Sequence, residues 1–315
     1  MTGPRHVLIG ICTFRRDHVA ATLASLGGLV LPEGVTIAAC IADNDTAPSA
    51  RDRVTDAARD LPFAVSYLHA PARNISVARN AVLDHAADTG ARWLAFLDDD
   101  EVVDEGWLAA LLARAGNSGC AAVVGPVHAA YGDGAPGWMR RGAVHDTLPD
   151  ETAPGIAHTG YTCNLLLDLA DPRIAGLRFD MDRGTSGGED TAFLTAYQRA
   201  GGEIAFAPDA VVRETVPAAR ARLGWLLQRR FRMGQTHGQL VCQQQGGTGR
   251  LTRVGLAGLK CGYCLGMAVV TGLDPLRRNR ALMRGALHAG AVAGGLGARH
   301  LQIYGDKPSG TKKRT

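Results

Sequence analysis

The sequence predicts an α/β fold with a mostly parallel central sheet, followed by a helical C-terminal region. Up to about Thr215, short apolar runs typical of buried strands alternate with helical patterns. Acidic residues come directly after two of these runs, as at the ligand-binding edge of such sheets. From about Ala218, long patterns rich in Gly and Ala replace the alternation. We therefore expect a first domain over residues 1–217, a helical region over 218–306 and a disordered basic tail over 307–315.

The elements of the first domain follow from the apolar periodicity. Buried strands are expected at Val7–Cys12, Val35–Ala42, Ala64–Leu68, Trp93–Leu97, Ala121–Val127 and Ile204–Val212. Helices are expected at Val19–Leu29, Val77–Thr89 (with Ser76 as its N-cap), Gly106–Ala115 and Glu189–Gly201. Two stretches rich in Gly, Pro and Asp, Tyr131–Trp138 and Arg173–Gly188, are expected to be loops around a site.

The composition excludes several classes of protein. The 315 residues are 46% hydrophobic and 20% charged, a globular balance that argues against disorder. A net charge of +4 is too weak to indicate nucleic acid, and we expect no such partner. The seven cysteines are odd in number and scattered, which argues against a disulfide framework. The apolar run Val7–Cys12 is too short for a secretory signal, so we expect the protein in the cytoplasm.

Three adjacent carboxylates, Asp98-Asp99-Asp100, follow the fourth predicted strand. They need a counter-charge, and a divalent cation is the simplest one. If the segment stays extended, Asp98 and Asp100 point the same way and can share one metal ion, with Mg²⁺ or Mn²⁺ as the natural choice for oxygen ligands. A phosphatase or another metal hydrolase fits this pattern equally well, and a solvated turn before the next helix also explains it.

Three further motifs are weak alone. Asp43-Asn44-Asp45 ends the second strand, where Asp and Asn also favour turns. Arg73–Asn80 opens a helix and would suit a phosphate, although an ordinary capped helix explains it too. Gly187–Asp190 begins the last helix of the first domain, where capping explains the carboxylates and a role as proton acceptor is the functional alternative.

Taken together and in this order, the motifs resemble glycosyltransferase family 2, whose members have the GT-A fold. The resemblance spans about Val7 to Val212. It is carried by Ile11–Arg15, Ile41–Asp45, Asn74 with Ala78–Asn80, Phe96–Glu101, Asn164–Leu166 and Gly188–Asp190. The segment Gln228–Arg232 lacks the Trp of the Q-x-x-R-W motif of processive synthases. The likeness is therefore to small bacterial enzymes that add single sugars during exopolysaccharide assembly of the succinoglycan type.

The resemblance implies an inverting, metal-dependent glycosyltransferase that moves a sugar from a nucleotide diphosphate to an acceptor hydroxyl. The residues that it assigns to the nucleotide are Thr13, Phe14, Arg15, Asp43, Arg79, Asp98 and Asp99. Asp100, supported by Asp98, is implied to hold the divalent metal, Mn²⁺ or Mg²⁺. Asp190 is implied to be the catalytic base, with Glu189 as the alternative. The implied acceptor is a glycan or a lipid-linked glycan.

Two other functions stay open at this point. A nucleotidyltransferase shares a similar sheet and acidic site, but it usually has a Gly-rich phosphate loop where this sequence has Thr13–Asp17. A non-catalytic protein that binds sugar nucleotides or glycans would have no need for both Asp100 and Asp190.

The C-terminal patterns allow two interpretations. Arg220–Gln239 is basic and amphipathic, and Val254–Leu273 and Leu282–Leu301 are apolar with small residues suited to close helix packing. Charged residues interrupt both apolar patterns, so we expect neither to span a membrane. These helices either pack on the first domain or lie on the inner face of the cell membrane. The arginines that would then meet anionic lipid are Arg220, Arg222, Arg229, Arg230 and Arg232.

Overall fold

The computed structural model describes residues 5–185, 187–243 and 247–298. The strands are β1 Arg5–Thr13, β2 Val35–Asp43, β3 Val65–His69, β4 Trp93–Asp98, β5 Glu101–Val103, β6 Ala122–Val124, β7 Val127–Tyr131, β8 Glu151–Ala153, β9 Ile156–Ala157, β10 Asn164–Asp168, β11 Ile204–Phe206 and β12 Val212–Val216. The helices are α1 Val19–Leu26, α2 Arg51–Ala58, α3 Ile75–Asp88, α4 Trp107–Ser118, α5 Gly137–Gly142, α6 Pro172–Ala175, α7 Glu189–Arg199, α8 Leu223–Gln243, α9 Gly247–Val270 and α10 Pro275–Gly295.

A nine-stranded mixed sheet forms the centre of the first domain, in the order β3-β2-β1-β4-β10-β6-β11-β9-β8. The pairs β3–β2, β2–β1, β1–β4 and β6–β11 are parallel, and β10 runs antiparallel to both of its neighbours. Side chains alternate along β1, so that Ile9 and Ile11 pack with Leu23 and Leu111 on one face, while Leu8 packs with other residues on the opposite face. The architecture confirms the predicted fold class.

Two predicted strands are each divided between two sheets. Ala121–Val127 separates into β6 and β7, and Ile204–Val212 separates into β11 and the start of β12. Pro126 and Pro208 lie in the two gaps, and proline has no N–H to continue a ladder. A second sheet of order β5-β12-β7 results. Its first strand, β5, follows the acidic triplet directly and was not expected from the sequence.

Other local expectations also needed correction. Asn74, not Ser76, caps α3, because its side-chain oxygen accepts from the backbone N–H of Ser76 at 3.0 Å. The Ser76 hydroxyl instead donates to the carbonyl of Asp180 at 2.7 Å. The stretches expected to be loops contain the short helices α5 and α6 and a 3-10 turn at Met181–Arg183.

Asn164 joins three parts of the core. Its side chain is 1% exposed, accepts from the indole N–H of Trp107 at 2.8 Å, and donates to the carbonyls of Pro126 and Ala210 at 3.0 and 2.8 Å. A Cβ at position 125 would collide with the Asn164 amide, so Gly125 is required there. Asn164 therefore fixes the junction between the two sheets and does not face a ligand.

We expect Asn164→Ala to lower the free energy of unfolding by about 3 kcal/mol, because it leaves the buried indole N–H of Trp107 and the carbonyl of Ala210 without partners, while the carbonyl of Pro126 keeps the N–H of Val212. Urea unfolding at an unchanged m-value measures the loss. Asn117→Ala, on the exposed end of α4, is the matched control and should change stability by less than about 0.5 kcal/mol. An Asn164→Ala protein as stable as this control would contradict the assignment.

Helices α8 and α10 pack backbone to backbone through glycines. A Cβ at Gly234 or Gly238 would collide with α10, and one at Gly290 or Gly294 would collide with α8. The small residues thus serve the close helix packing that the sequence predicts. The predicted break at 246–249 lies partly outside the described residues, and Gly247–Gly249 already belong to α9. The tail 307–315 also lies outside the described residues.

Helix α9 packs against α10 and leaves an apolar face exposed. Large apolar side chains on it are more than half exposed, namely Leu251, Leu256, Leu259, Tyr263, Leu265, Val269 and Val270. By length and composition Gly249–Val270 suffices to cross a membrane, and 11% of its 18-residue apolar window is buried within the protein. We expected neither apolar pattern to span a membrane because charged residues interrupt both, and α9 meets the length and composition despite Lys260.

Candidate active site

The acidic triplet forms a tight turn. Asp98 is the last residue of β4, Asp99 and Asp100 form the turn, and β5 begins at Glu101. The buried Glu101 carboxylate accepts from the backbone N–H of Asp98 at 2.9 Å and closes the turn. The assumption that the triplet is extended was therefore wrong, and alternation along a strand does not place Asp98 and Asp100 together.

Arginines supply counter-charge to all three carboxylates. Asp98 lies 3.8 Å from Nη2 of Arg79. Asp99 lies 3.5 Å from Nε of Arg16, and Asp100 forms an ion pair with the same guanidinium. A third arginine, Arg220, approaches Asp100 at 3.6 Å. From the sequence we expected a divalent cation in this role; in the structure Arg16, Arg79 and Arg220 supply the counter-charge.

The turn after β1 lies against the triplet. The Thr13 hydroxyl is buried and donates to Asp99 Oδ2 at 2.7 Å. Arg15 adopts a left-handed backbone with φ of 54°, and its Nε donates to Asp45 Oδ2 at 2.7 Å. That bond lowers the pKa of Asp45 to about 2. The Arg15 guanidinium is half-exposed and lies 5.2 Å from the centre of the Phe14 ring.

Asp43 lies beneath this surface. It is fully buried, and its carboxylate accepts from Tyr67 Oη at 2.7 Å and from the backbone N–H groups of Ala50 and Asp45 at 2.8 and 3.0 Å. These three bonds hold the loop between β2 and α2 in place. Asp43 therefore builds the floor of the site and does not reach its surface.

Arg79 joins α3 to α7 through a buried ion pair with Glu189. Burial opposes the charge of Arg79, but the carboxylates of Glu189 and Asp98 outweigh it and raise the pKa of Arg79 above its usual range. Oε2 of Glu189 is buried without a hydrogen-bond partner among the described residues. Glu189 thus holds Arg79 in position next to Asp98.

Asp190 occupies the first turn of α7. Its Oδ1 accepts from the backbone N–H and the hydroxyl of Thr191, at 2.7 and 3.3 Å. Burial, followed by the charge of neighbouring Glu189, raises the pKa of Asp190 to about 6. A carboxylate with that pKa is ionised at neutral pH and basic enough to accept a proton from a reacting hydroxyl.

The loop that presents Asp190 depends on two glycines. Gly187 and Gly188 have φ of 86° and 90°, a conformation that side chains with a Cβ rarely adopt. A Cβ at position 188 would also collide with Thr236 of α8. The C-terminal helices therefore help to fix the position of the candidate base.

Comparison with known proteins agrees with this geometry. The model of the family described as Glycosyl transferase family 2 matches residues 9–183, more than half of the chain. Succinoglycan biosynthesis protein ExoM of Rhizobium meliloti (strain 1021) is 48% identical over 300 residues, which cover 95% of this chain and 96% of that protein. The chain belongs to glycosyltransferase family 2.

Solved structures support the same fold for this family 2 glycosyltransferase. The mannosyltransferase PcManGT of Pyrobaculum calidifontis, in complex with GDP-Man and Mn²⁺, has a TM-score of 0.61 at 16% identity and covers 93% of this chain and 87% of its own. GalNAc-T7, with UDP, GalNAc and Mn²⁺, has a TM-score of 0.51 at 14% identity over 67% of this chain and 44% of its own. The GT-A fold is confirmed, and family membership sets aside the nucleotidyltransferase and non-catalytic alternatives.

Three residues near the site of this glycosyltransferase were not predicted from the sequence. Arg16 directly follows the motif Thr13–Arg15, and its position in the same turn could have indicated that it lies near the site. Arg220 was assigned to lipid, but its guanidinium donates to Glu214 at 2.7 Å and is not free for that contact. Tyr161 lies in a connection without a motif, where burial, followed by the charge of Asp190, raises its pKa to about 12.

The residues present fit a divalent metal only with help from a substrate. No group of three or more His, Cys, Asp and Glu side chains suited to a metal ion occurs among the described residues. The Asp98 side chain is 44% exposed, and its ionic contact with Arg79 is long. Asp98 and Asp100 each offer carboxylate oxygens at this turn, and Mg²⁺ or Mn²⁺ commonly binds one or two carboxylates together with phosphate oxygens and water. Binding of the metal ion at these residues therefore requires further oxygen ligands from the diphosphate of a donor.

We expect Glu189→Gln to lower transfer without abolishing it, because Arg79 loses its buried partner charge, and to move the acid limb of its pH profile to lower pH. Removing the Glu189 charge takes away one cause of the raised pKa of Asp190, so Asp190 stays ionised at lower pH. The profile of kcat/KM between pH 4.5 and 8 measures the shift. An inactive Glu189→Gln enzyme that still binds nucleotide would assign the base to Glu189 instead.

Proposed function

We propose that this enzyme transfers a sugar, with inversion, from a nucleotide diphosphate to a hydroxyl of a growing exopolysaccharide unit. The 48% identical relative is a succinoglycan biosynthesis protein, and the two chains match over almost their whole lengths. The observation that carries the proposal is Asp190 with a pKa near 6 at the N-terminus of α7, beside the Arg79–Glu189 pair. That arrangement places a base next to a fixed positive charge.

The donor occupies the surface formed by the β1 turn and the acidic turn. The half-exposed groups there are Phe14, Arg15 and Asp98, which we assign to direct contact with the nucleotide. Thr13, Asp43 and Asp99 are buried and hydrogen-bonded within the protein, so we assign them to positioning. Phosphate contact falls to Arg16, whose partly exposed guanidinium lies beside the triplet, and the buried guanidinium of Arg79 adds its positive charge without direct contact.

Asp98 and Asp100 would hold the Mn²⁺ or Mg²⁺ that accompanies the donor. When bound, the metal offsets the negative charge that develops on the leaving diphosphate. Asp190 accepts the proton of the acceptor hydroxyl as its oxygen attacks the anomeric carbon. The bond to the nucleotide diphosphate breaks in the same displacement, which inverts the anomeric configuration.

The acceptor is assigned to a lipid-linked glycan at the inner face of the cell membrane. The exposed apolar face of α9 supports contact with lipid, and residues 218–298 have one acidic residue, Asp274, among many arginines. Anionic lipid attracts such a surface. Within the proposal, the enzyme works in the cytoplasm on an acceptor whose lipid is in the bilayer.

The test is release of free nucleoside diphosphate from a panel of UDP-, GDP- and dTDP-sugars, with manganese or with a chelator. We expect slow, metal-dependent release from one donor even without acceptor. Supplying a lipid-linked acceptor should accelerate release, and the anomeric configuration of the product distinguishes inversion from retention. The absence of release and of metal-dependent binding for every donor would contradict the proposal.

A further inference from the structure

A pocket outside the acidic turn has no role in the steps above. Its volume is about 620 Å³, and it lies between the end of α5 and the helices α8, α9 and α10. None of the residues assigned above to the donor or to catalysis lines it. The pocket therefore suits a second ligand.

The chemistry of the lining is basic at one side and apolar at the other. Four arginines line it, namely Arg230, Arg277, Arg280 and Arg284, and no Asp or Glu is among the lining residues. Three of the arginines of α10 are spaced at positions i, i+3 and i+7, which places them on one face of the helix. Such a set of guanidiniums matches a phosphate or diphosphate.

The arginines are only partly engaged by the protein. Arg277 contacts Asp274 at 3.4 Å, and Arg280 donates to the carbonyl of Gly142 at 3.1 Å. Arg230 and Arg284 make no hydrogen bond or ion pair with the described residues. Burial, followed by the neighbouring charge of Arg229, lowers the pKa of Arg230, and the charges of Tyr161 and Asp150 offset this only in part.

The apolar side of the pocket continues onto α9. Cys264 and Met283 are buried in its wall, while Tyr263 is 70% exposed at its edge. From there the exposed side chains of Leu259 and Val270 continue along the same face of α9. A ligand with an anionic head in the pocket therefore has an adjacent surface for a hydrocarbon chain.

The pocket is also electrostatically close to the candidate base. The charges of Asp190 and of Arg230 both act on Tyr161, so both side chains lie in the neighbourhood of its phenol. A ligand anchored at Arg230 is thus bound in the same neighbourhood as the candidate base. A phospholipid that serves only as an anchor has no need of this proximity, whereas an acceptor does.

We propose that the arginine-lined pocket between α5, α8, α9 and α10 binds the phosphate or diphosphate of a lipid-linked acceptor, whose hydrocarbon chain lies along the exposed face of α9. The inference rests on the proposed function, in that the bound lipid is the substrate that receives the sugar. It adds a binding site for the acceptor, formed by residues outside the catalytic turn.

The test measures binding of the full-length protein to vesicles by co-flotation. Three vesicle types are compared: phosphatidylcholine alone, phosphatidylcholine with geranylgeranyl diphosphate, and phosphatidylcholine with phosphatidylglycerol at equal negative charge. We expect the wild-type protein to bind the diphosphate vesicles at least about 10-fold more tightly than the other two. Arg284→Gln should lose about 10-fold of that affinity, or about 1.4 kcal/mol, and Arg277→Gln should lose less because Asp274 already pairs with it.

Arg59→Gln is the matched control, since it also removes one positive charge. Arg59 is exposed, directly follows α2 in the first domain and pairs with Asp56. This control variant should bind like the wild-type protein, and Arg284→Lys should retain part of the affinity. Release of nucleoside diphosphate from the donor without acceptor should be unchanged in Arg284→Gln, which also shows that the variant folds.

Two outcomes would overturn the inference. Binding that follows negative charge alone, equal for phosphatidylglycerol and the diphosphate lipid, would indicate a general lipid surface. Arg284→Gln binding as tightly as Arg59→Gln would exclude the pocket. Both outcomes can be observed in a protein that still releases nucleoside diphosphate from the donor. They are therefore distinct from a failure of the proposed glycosyl transfer, in which no donor is turned over.

Discussion

Asp190→Asn should lower the rate of sugar transfer by at least about 100-fold, because asparagine cannot accept the proton of the acceptor hydroxyl. The exchange keeps the shape of the side chain and its bond with Thr191. Affinity for the nucleotide, measured by calorimetry with manganese, should change little. Transfer is measured with saturating donor, so that a change in binding does not imitate a change in chemistry.

The pH dependence gives an independent test of the same residue. Only the ionised carboxylate is a base, so kcat/KM of the wild-type enzyme should fall as the pH drops through about 6. The residual rate of Asp190→Asn should not show this limb. A wild-type profile that is flat between pH 5 and 8, with full activity in Asp190→Asn, would remove Asp190 from the mechanism.

Stability separates a catalytic role from a structural one. A carboxyl whose folded pKa is raised ionises less readily in the folded than in the unfolded state, so its ionisation costs stability as the pH rises from about 4 to 6. Above pH 6 that cost is fully present, and asparagine does not bear it. Asp190→Asn should therefore be at least as stable as the wild-type protein at pH 8, and marked unfolding would indicate a structural residue.

Asp100→Asn should abolish the metal dependence of donor binding and lower kcat/KM by at least about 100-fold. The variant removes one carboxylate of the proposed metal pair and one of the two acidic partners of each of Arg16 and Arg220, which keep Asp99 and Glu214. The net positive charge gained at the turn can still attract a phosphate, so weak binding without metal should persist. Titration of nucleotide with manganese and with chelator measures both effects.

The control for this change is Asp104→Asn, a half-exposed aspartate directly after β5 that pairs with Arg213. It should keep the activity and the metal dependence of the wild-type enzyme. Chelator should reduce the wild-type rate to that of Asp100→Asn and should not reduce the variant further. Metal-dependent turnover in Asp100→Asn, or a wild-type enzyme indifferent to chelator, would contradict the assignment.

Much of the site could be anticipated because its motifs are local. Asp98–Asp100 and Glu189–Asp190 are runs of adjacent residues that end a strand and begin a helix, and the alternation of strands and helices predicts that such ends meet at one edge of the sheet. The strands that were divided show the limit of this reasoning. Apolar periodicity does not reveal that the strands are interrupted near Pro126 and Pro208, after which the chain continues in a second sheet.

The sequence by itself determined the fold class, the family and the residues that are candidates for chemistry, because each depends on short-range patterns. Only the tertiary structure decided how the charges are compensated. Arg16, Arg79 and Arg220 lie far apart along the chain and meet the acidic turn only after folding. The pKa of Asp190 and the arginine-lined pocket also depend on burial and on charges from distant segments, which a linear sequence does not contain.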